Sequence, residues 1–233
     1  MSKNSAPCAY EFVFNDNEKI PVTVAKGEYS TPVWIQTAWE EGELAPYIQK
    51  NGCGHCCVTM AARLAGVPDI TPYTEYENCR ALWGLPNADE GRYHWLSTGG
   101  VVESLKSYGV ESVAYGIPVG GRAAAVEHIY RELSEGKLVI FISFPLTPDN
   151  PFSSGAHYVL FVGLTEDGRV AVANSSLRAR TETPGAQTVT AAEIEAAMFP
   201  HGAEPNGKGL TWGILDGLGE QSGYVVVTPP AAK

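Results

Sequence analysis

Apolar residues recur at helical spacing through the first half of the chain. One run places them at i, i+3, i+4 and i+7, at Cys57, Met60, Ala61 and Leu64, and predicts a helix over residues 53–65. Gly66 and Pro68 supply a stop signal after it. Two further helices, each closed by a nearby glycine, are predicted over residues 98–108 and 122–134. The segment between the first two, residues 68–87, predicts a loop with short helical turns.

The period changes after residue 137, where the pattern becomes that of strands. A continuous apolar run at residues 138–144 predicts a buried central strand. Residues 158–164 and 169–173 flank Asp167-Gly168, a hairpin signal. Thr190 and Glu193 match a capping box that opens a short helix ending near Met198. Further strands are predicted at residues 10–14, 20–24 and 224–228.

The order of these elements predicts an α+β fold, because helices come first and antiparallel strands follow them. The 233 residues, 44% of them hydrophobic, are sufficient for one sizeable core. A net charge of −10 argues against a nucleic-acid or anionic-membrane partner. No apolar run reaches the roughly 18 residues of a membrane span, and no signal peptide is visible. A cytoplasmic location is therefore expected, or a secreted one if a leader has been removed. The oligomeric state is left open.

Cys53 is the strongest candidate for a nucleophile among the cysteines. It stands at the predicted start of a helix, where unpaired N–H groups can lower a thiol pKa and help to bind an oxyanion. Gly52 and Gly54 on either side permit a tight turn and close approach of a substrate. Cys56 and Cys57 lie inside the helix and are interpreted as core residues.

Two other chemistries compete for Cys53. The tetrapeptide Cys53-Gly54-His55-Cys56 matches the active site of protein disulfide isomerases and predicts a thiol–disulfide oxidoreductase. That motif normally follows a buried strand, however, and residues 47–52 carry no apolar strand pattern. A zinc site is not predicted, because no second Cys/His pair follows at ligand spacing and Cys79 stands alone. Neither a metal nor a cofactor is expected.

His157 is the best-placed candidate for a general base, since it opens the apolar strand at residues 158–164. His55, beside the nucleophile on the same helix, is badly placed for that task. If the hairpin loop has two residues, Asn174 faces Phe161, and if it has four, Asn174 faces Val159. In both registers Asn174 shares one sheet face with His157, and in the second the two are diagonal neighbours that can hydrogen bond.

These motifs together resemble the papain-like family of bacteriocin-processing peptidases that cleave double-glycine leaders, especially its stand-alone members. The family has an upstream Gln, a Cys-Gly at a helix start with a Met seven residues later, a Gly-x-His strand, and a following strand that ends in Asp or Asn. The matching positions, which span about residues 33–176, are Gln36 with Trp39, Gly52-Cys53-Gly54 with Met60, Gly155-Ala156-His157, and Val170 to Asn174.

The resemblance implies a papain-like α+β fold over residues 33–228, a helical lobe packed on an antiparallel sheet. Residues 1–32 would be an N-terminal extension and residues 229–233 a tail. The resemblance also implies that Cys53 is the nucleophile, His157 the general base and acid, and Asn174 the residue that orients the imidazole. Gln36 would be the oxyanion donor, with Gln49 as the competing choice. A peptide or amide is the implied substrate. Peptidase, amidase and acyltransferase activity remain open, as does a catalytically inactive binding module.

Overall fold

A computed structural model gives the fold of the chain. It describes residues 8–14, 18–24, 29–33, 45–83, 96, 98–117, 120–143, 150–153, 155–176, 186–198 and 223–230. Within these residues the helices are α1 (Ala45–Asn51), α2 (Cys53–Leu64), α3 (Pro72–Trp83), α4 (Thr98–Ser107), α5 (Arg122–Ser134) and α6 (Ala191–Ala197). The strands are β1 (Cys8–Phe14), β2 (Glu18–Val24), β3 (Tyr29–Val33), β4 (Glu111–Gly116), β5 (Leu138–Ser143), β6 (His157–Leu164), β7 (Val170–Ala173), β8 (Ala186–Val189) and β9 (Gly223–Thr228).

The larger sheet has six strands in the order β4-β9-β5-β6-β7-β8. Every neighbouring pair in it is antiparallel. The predicted α+β class is therefore confirmed. Strands β1, β2 and β3 form a separate sheet in the order β2-β1-β3, with β3 parallel to β1.

The larger sheet is covered on both faces. Because side chains alternate along a strand, Ile140 and Leu160 point to one side and join the apolar cluster that contains α2. Phe141 and Phe161 point to the other side and pack with residues of α5 and α6. A helical lobe packed on the sheet was expected. In the structure α5 and α6 form a second helical layer, on the sheet face opposite α2. Strand β5 is buried along its whole length, as its apolar run predicts.

Local patterns located most elements and missed others, among them α3 and β4. The predicted helix at residues 122–134 has the observed bounds, and the capping box of Thr190 and Glu193 is present. The loop predicted at residues 68–87 is wrong, because α3 occupies most of the described part of it. No strand was predicted for β4, which lies at the sheet edge and is only partly buried. Among the described residues, no helix combines the length and apolarity that crossing a membrane requires.

We expect Phe141→Ala to lower the free energy of unfolding by about 3–5 kcal/mol, the usual cost of deleting a buried aromatic ring. Phe141 is fully buried and stacks on Phe161 with ring centroids 5.2 Å apart. Urea denaturation measures the effect. The control is Leu82→Ala, since Leu82 is 46% exposed and its loss should stay within about 0.5 kcal/mol. Equal effects for the two variants would contradict this assignment of the core.

Candidate active site

Cys53 is the first residue of α2, as the sequence predicts. Helix α1 ends two residues earlier, at Asn51, and Gly52 joins the two helices. The N–H of Gly52 donates to the carbonyl oxygen of Ile48 at 2.8 Å, so α1 runs almost directly into α2. A helix therefore precedes Cys53, in contrast to the strand that precedes the active site of a thioredoxin-like domain.

The Cys53 thiol lies against the start of strand β6. Backbone N–H groups lie close enough to its sulfur to lower the thiol pKa, among them that of Tyr158 on β6 and that of Gly54 on its own helix. Tyr158 directly follows His157 in the strand. The predicted nucleophile therefore lies at the same end of β6 as the predicted base.

Burial raises the pKa of the Cys53 thiol above its usual value. The N–H donors of Tyr158 and Gly54 lower that pKa, but the loss of water around the sulfur outweighs them. The thiol is only 4% exposed. The structure thus differs from the expectation that the helix start lowers the thiol pKa. In this state the sulfur keeps its proton until a base removes it.

His157 and Asn174 form the hydrogen bond expected between them. Nε2 of His157 lies 2.8 Å from Oδ1 of Asn174, and both residues are buried. The amide orientation follows from its other contacts, because Nδ2 of Asn174 donates to the carbonyl of Phe152 at 3.1 Å. Oδ1 also accepts from the N–H of Ser176 at 2.9 Å. An oxygen facing Nε2 requires the ring proton there, so Nδ1 of His157 carries the lone pair.

Burial lowers the pKa of His157 to about 4, while the hydrogen bond to Asn174 opposes the decrease. The imidazole is therefore neutral at neutral pH. A neutral ring with its proton held on Nε2 can accept a proton at Nδ1, which suits a general base. The side chain of Asn174 fixes the tautomer and orientation of the ring.

The register of β6 and β7 explains why these two residues meet. Leu160 pairs with Ala173, so Val159 comes opposite Asn174, as the four-residue loop would have given. The structure reaches this register differently. The last pair before the loop is Leu164 with Val170, so the loop is one residue longer than four. A bulge between Phe161 and Gly163 compensates for the extra residue and gives the predicted alignment.

Of the two predicted oxyanion donors, the structure describes only Gln49. Gln36 lies outside the described residues, as does its companion Trp39. Gln49 lies in α1 and is partly buried. Sequence reasoning overlooked Asn51, whose amide nitrogen Nδ2 is buried without a hydrogen-bond partner in the part of the chain that the structure describes. An unpaired buried amide two residues before the predicted nucleophile is a further candidate donor, and no sequence pattern marks it.

Three further cysteines, Cys56, Cys57 and Cys79, are buried free thiols. Burial raises the pKa of both Cys56 and Cys57 well above the usual range, and both belong to the apolar core around α2, as the sequence predicts. Cys79 lies on α3, where it contacts Glu75. His55 points to the same carboxylate. These three residues are the described His, Cys and acidic side chains close enough together to hold a metal ion.

Comparison with known proteins does not assign the chain to a family. No protein-family model matches it, and no curated protein does so either.

We expect Gly52→Ala to lower the free energy of unfolding by about 1–3 kcal/mol, the usual cost of overpacking. A Cβ at Gly52 would lie 2.4 Å from the backbone oxygen of Ile48, so the junction of α1 and α2 would have to open. Gly54→Ala is the matched control. Its Cβ would lie 3.2 Å from Leu96, and a gain in helix propensity of about 1 kcal/mol offsets that tight contact. Urea denaturation compares them, and equal losses would contradict the assigned close approach.

We expect His157 to make the protein less stable as the pH falls from about 6.5 to about 4. Its folded pKa, about 4, lies below that of the unfolded chain. In this window the unfolded state binds more protons, so the free energy of unfolding decreases with falling pH by up to about 1.4 kcal/mol per unit. Urea denaturation across pH measures this slope.

His157→Gln should flatten the slope in that window, since the variant has no titrating ring at this site. The histidine resonances in an NMR titration of the wild-type protein give an independent check. A slope that is the same in both proteins, or a His157 resonance that titrates near pH 6.5, would contradict the assigned burial.

Proposed function

We propose that the chain is a cysteine hydrolase that cleaves an amide bond through a thioester on Cys53, with His157 as general base and acid. The observation that supports this most strongly is the hydrogen bond between His157 and Asn174. It lies at the end of β6 where the strand backbone also approaches the sulfur of Cys53. The residues fit the Cys-His-Asn arrangement of papain-like enzymes. A papain-like fold and a peptide substrate are part of the proposal.

The proposed reaction follows from the protonation states at the site. Nδ1 of His157 takes the thiol proton as the sulfur of Cys53 attacks the amide carbonyl carbon. The carbonyl π electrons move to oxygen, which backbone N–H groups at the start of α2 would stabilise. When the tetrahedral intermediate collapses, the C–N bond breaks and the imidazolium gives its proton to the leaving amine.

The thioester is then hydrolysed by the same groups. Nδ1 of His157 takes a proton from water as the water oxygen attacks the thioester carbon. The C–S bond breaks and the proton returns to the sulfur of Cys53. An amine in place of water would give acyl transfer with the same residues, so the acceptor distinguishes hydrolase from acyltransferase.

Thiol–disulfide exchange is the second candidate, favoured by the position of Cys56 three residues after Cys53 at a helix start. Cys56 is fully buried, and burial raises the pKa of its thiol well above the usual range. Helix α1, moreover, occupies the place of the strand that leads into a thioredoxin-like site. Both features favour hydrolysis over exchange.

We expect p-nitrophenyl acetate to acetylate Cys53 with release of one equivalent of p-nitrophenolate before steady turnover begins. Peptide mass spectrometry locates the acetyl group. His157→Ala should slow acylation by about 10²–10⁴-fold, the range for a lost general base. Cys53→Ala should abolish the burst.

Cys56→Ala separates the two candidate functions. A hydrolase keeps the acylation burst in this variant, whereas an oxidoreductase loses turnover or stalls as a mixed disulfide in an insulin-reduction assay. A Cys53 thiol that reacts with the ester or with iodoacetamide no faster than a free model thiol, and equally in His157→Ala, would favour the inactive binding module and refute the proposal.

A further inference from the structure

Three potential metal ligands meet in the core between α2 and α3. His55 comes from α2, while Glu75 and Cys79 stand one turn apart on the same face of α3. Nδ1 of His55, a carboxylate oxygen of Glu75 and Sγ of Cys79 all lie within 4.8 Å of one another. The three residues are at most 1% exposed. The proposed hydrolase uses none of them.

The cluster places a carboxylate where water cannot reach it. Glu75 is 0% exposed, and its ion pair among the described residues is with His55. Its Oε1 also accepts hydrogen bonds from Sγ of Cys79 at 2.9 Å and from Oγ of Ser104 at 2.8 Å. Several donors thus converge on one carboxyl group, although burying a charge is costly unless it is paired or bound to a metal.

The donor set is that of a zinc site. Imidazole nitrogen, carboxylate oxygen and thiolate sulfur are all ordinary zinc ligands, whereas Mg²⁺ and Ca²⁺ prefer oxygen alone. A divalent cation bound by one thiolate and one carboxylate is also neutral overall, which suits a fully buried position. Ser104, on α4, places a further oxygen beside Glu75.

We propose that His55, Glu75 and Cys79 bind a zinc ion that joins α2 to α3. Binding replaces the S–H of Cys79 with a Zn–S bond and displaces the proton that lies between Nδ1 of His55 and Oε2 of Glu75, so that two protons are released to solvent. His55 coordinates through Nδ1 and keeps its proton on Nε2. No electron is transferred. This site is separate from Cys53 and His157, and the proposal stands whether or not the chain is a hydrolase.

The test is a zinc titration of the full chain with Cys53→Ala as the parent protein, since Cys53 and His157 could otherwise bind the metal themselves. The protein is purified without an immobilised-metal column, stripped with a chelator and titrated with Zn²⁺ against a chromophoric competitor. One equivalent should bind. Adding Glu75→Gln or Cys79→Ala should weaken binding at least tenfold, whereas adding Cys57→Ala, a matched buried thiol on α2, should not.

Cobalt gives a second measurement that needs no further variant and so covers failure of a variant to fold. Co²⁺ added to the stripped parent protein should produce a near-ultraviolet thiolate-to-cobalt charge-transfer band that Zn²⁺ abolishes. The proposal is overturned if the parent protein binds no zinc in the titration, or if this band is absent. It is also overturned if folded Glu75→Gln and Cys79→Ala proteins bind zinc as tightly as the parent.

Discussion

The packing of α2 against β6 is the contact on which the candidate site depends. Cys53 and His157 lie 104 residues apart in the chain, and their two elements meet where the backbone N–H of Tyr158 approaches the sulfur. Gly54 lies at this junction, where a Cβ would be 3.2 Å from Leu96 and 3.4 Å from the ring of Tyr158. The hydroxyl of Tyr158 in turn donates to the carbonyl of Leu96 at 2.9 Å, which holds the same junction from the other side.

Burial at this junction sets the chemistry as well as the geometry. Burial raises the thiol pKa of Cys53 and lowers the imidazole pKa of His157, so both groups are neutral in the folded protein. A permanently charged pair would have to be stabilised in the same dry environment at considerable cost. In the proposed reaction, proton transfer to His157 is therefore coupled to attack on the carbonyl, and the positive end of α2 stabilises the developing oxyanion.

The sequence predicted the parts of the fold and site that depend on local pattern. Parity along a strand is strict, so His157 and Asn174 were placed on one face although the loop length was not known. The structure keeps that parity, because the longer turn is balanced by the bulge near Gly163. Helix α3 was missed because polar residues, among them the buried Glu75, interrupt the apolar positions that recur at helical spacing, such as Tyr76 and Cys79. The contact between His55 and Glu75 could not be predicted from sequence spacing, because the two residues are 20 positions apart and lie on different helices.

The surroundings of α2 explain why the Cys-Gly-His-Cys tetrapeptide at its start is a poor guide to function. Successive residues of an α-helix are rotated by about 100°, so Cys53 and His55 point in nearly opposite directions. Cys53 meets β6, His55 meets α3, and Cys56 packs into the core. Every residue of α2 except Arg63 is buried, so each face needs a partner of matching polarity. In an exposed redox site the residues of this tetrapeptide act together. Here its side chains face three different environments, because α2 is buried on all sides.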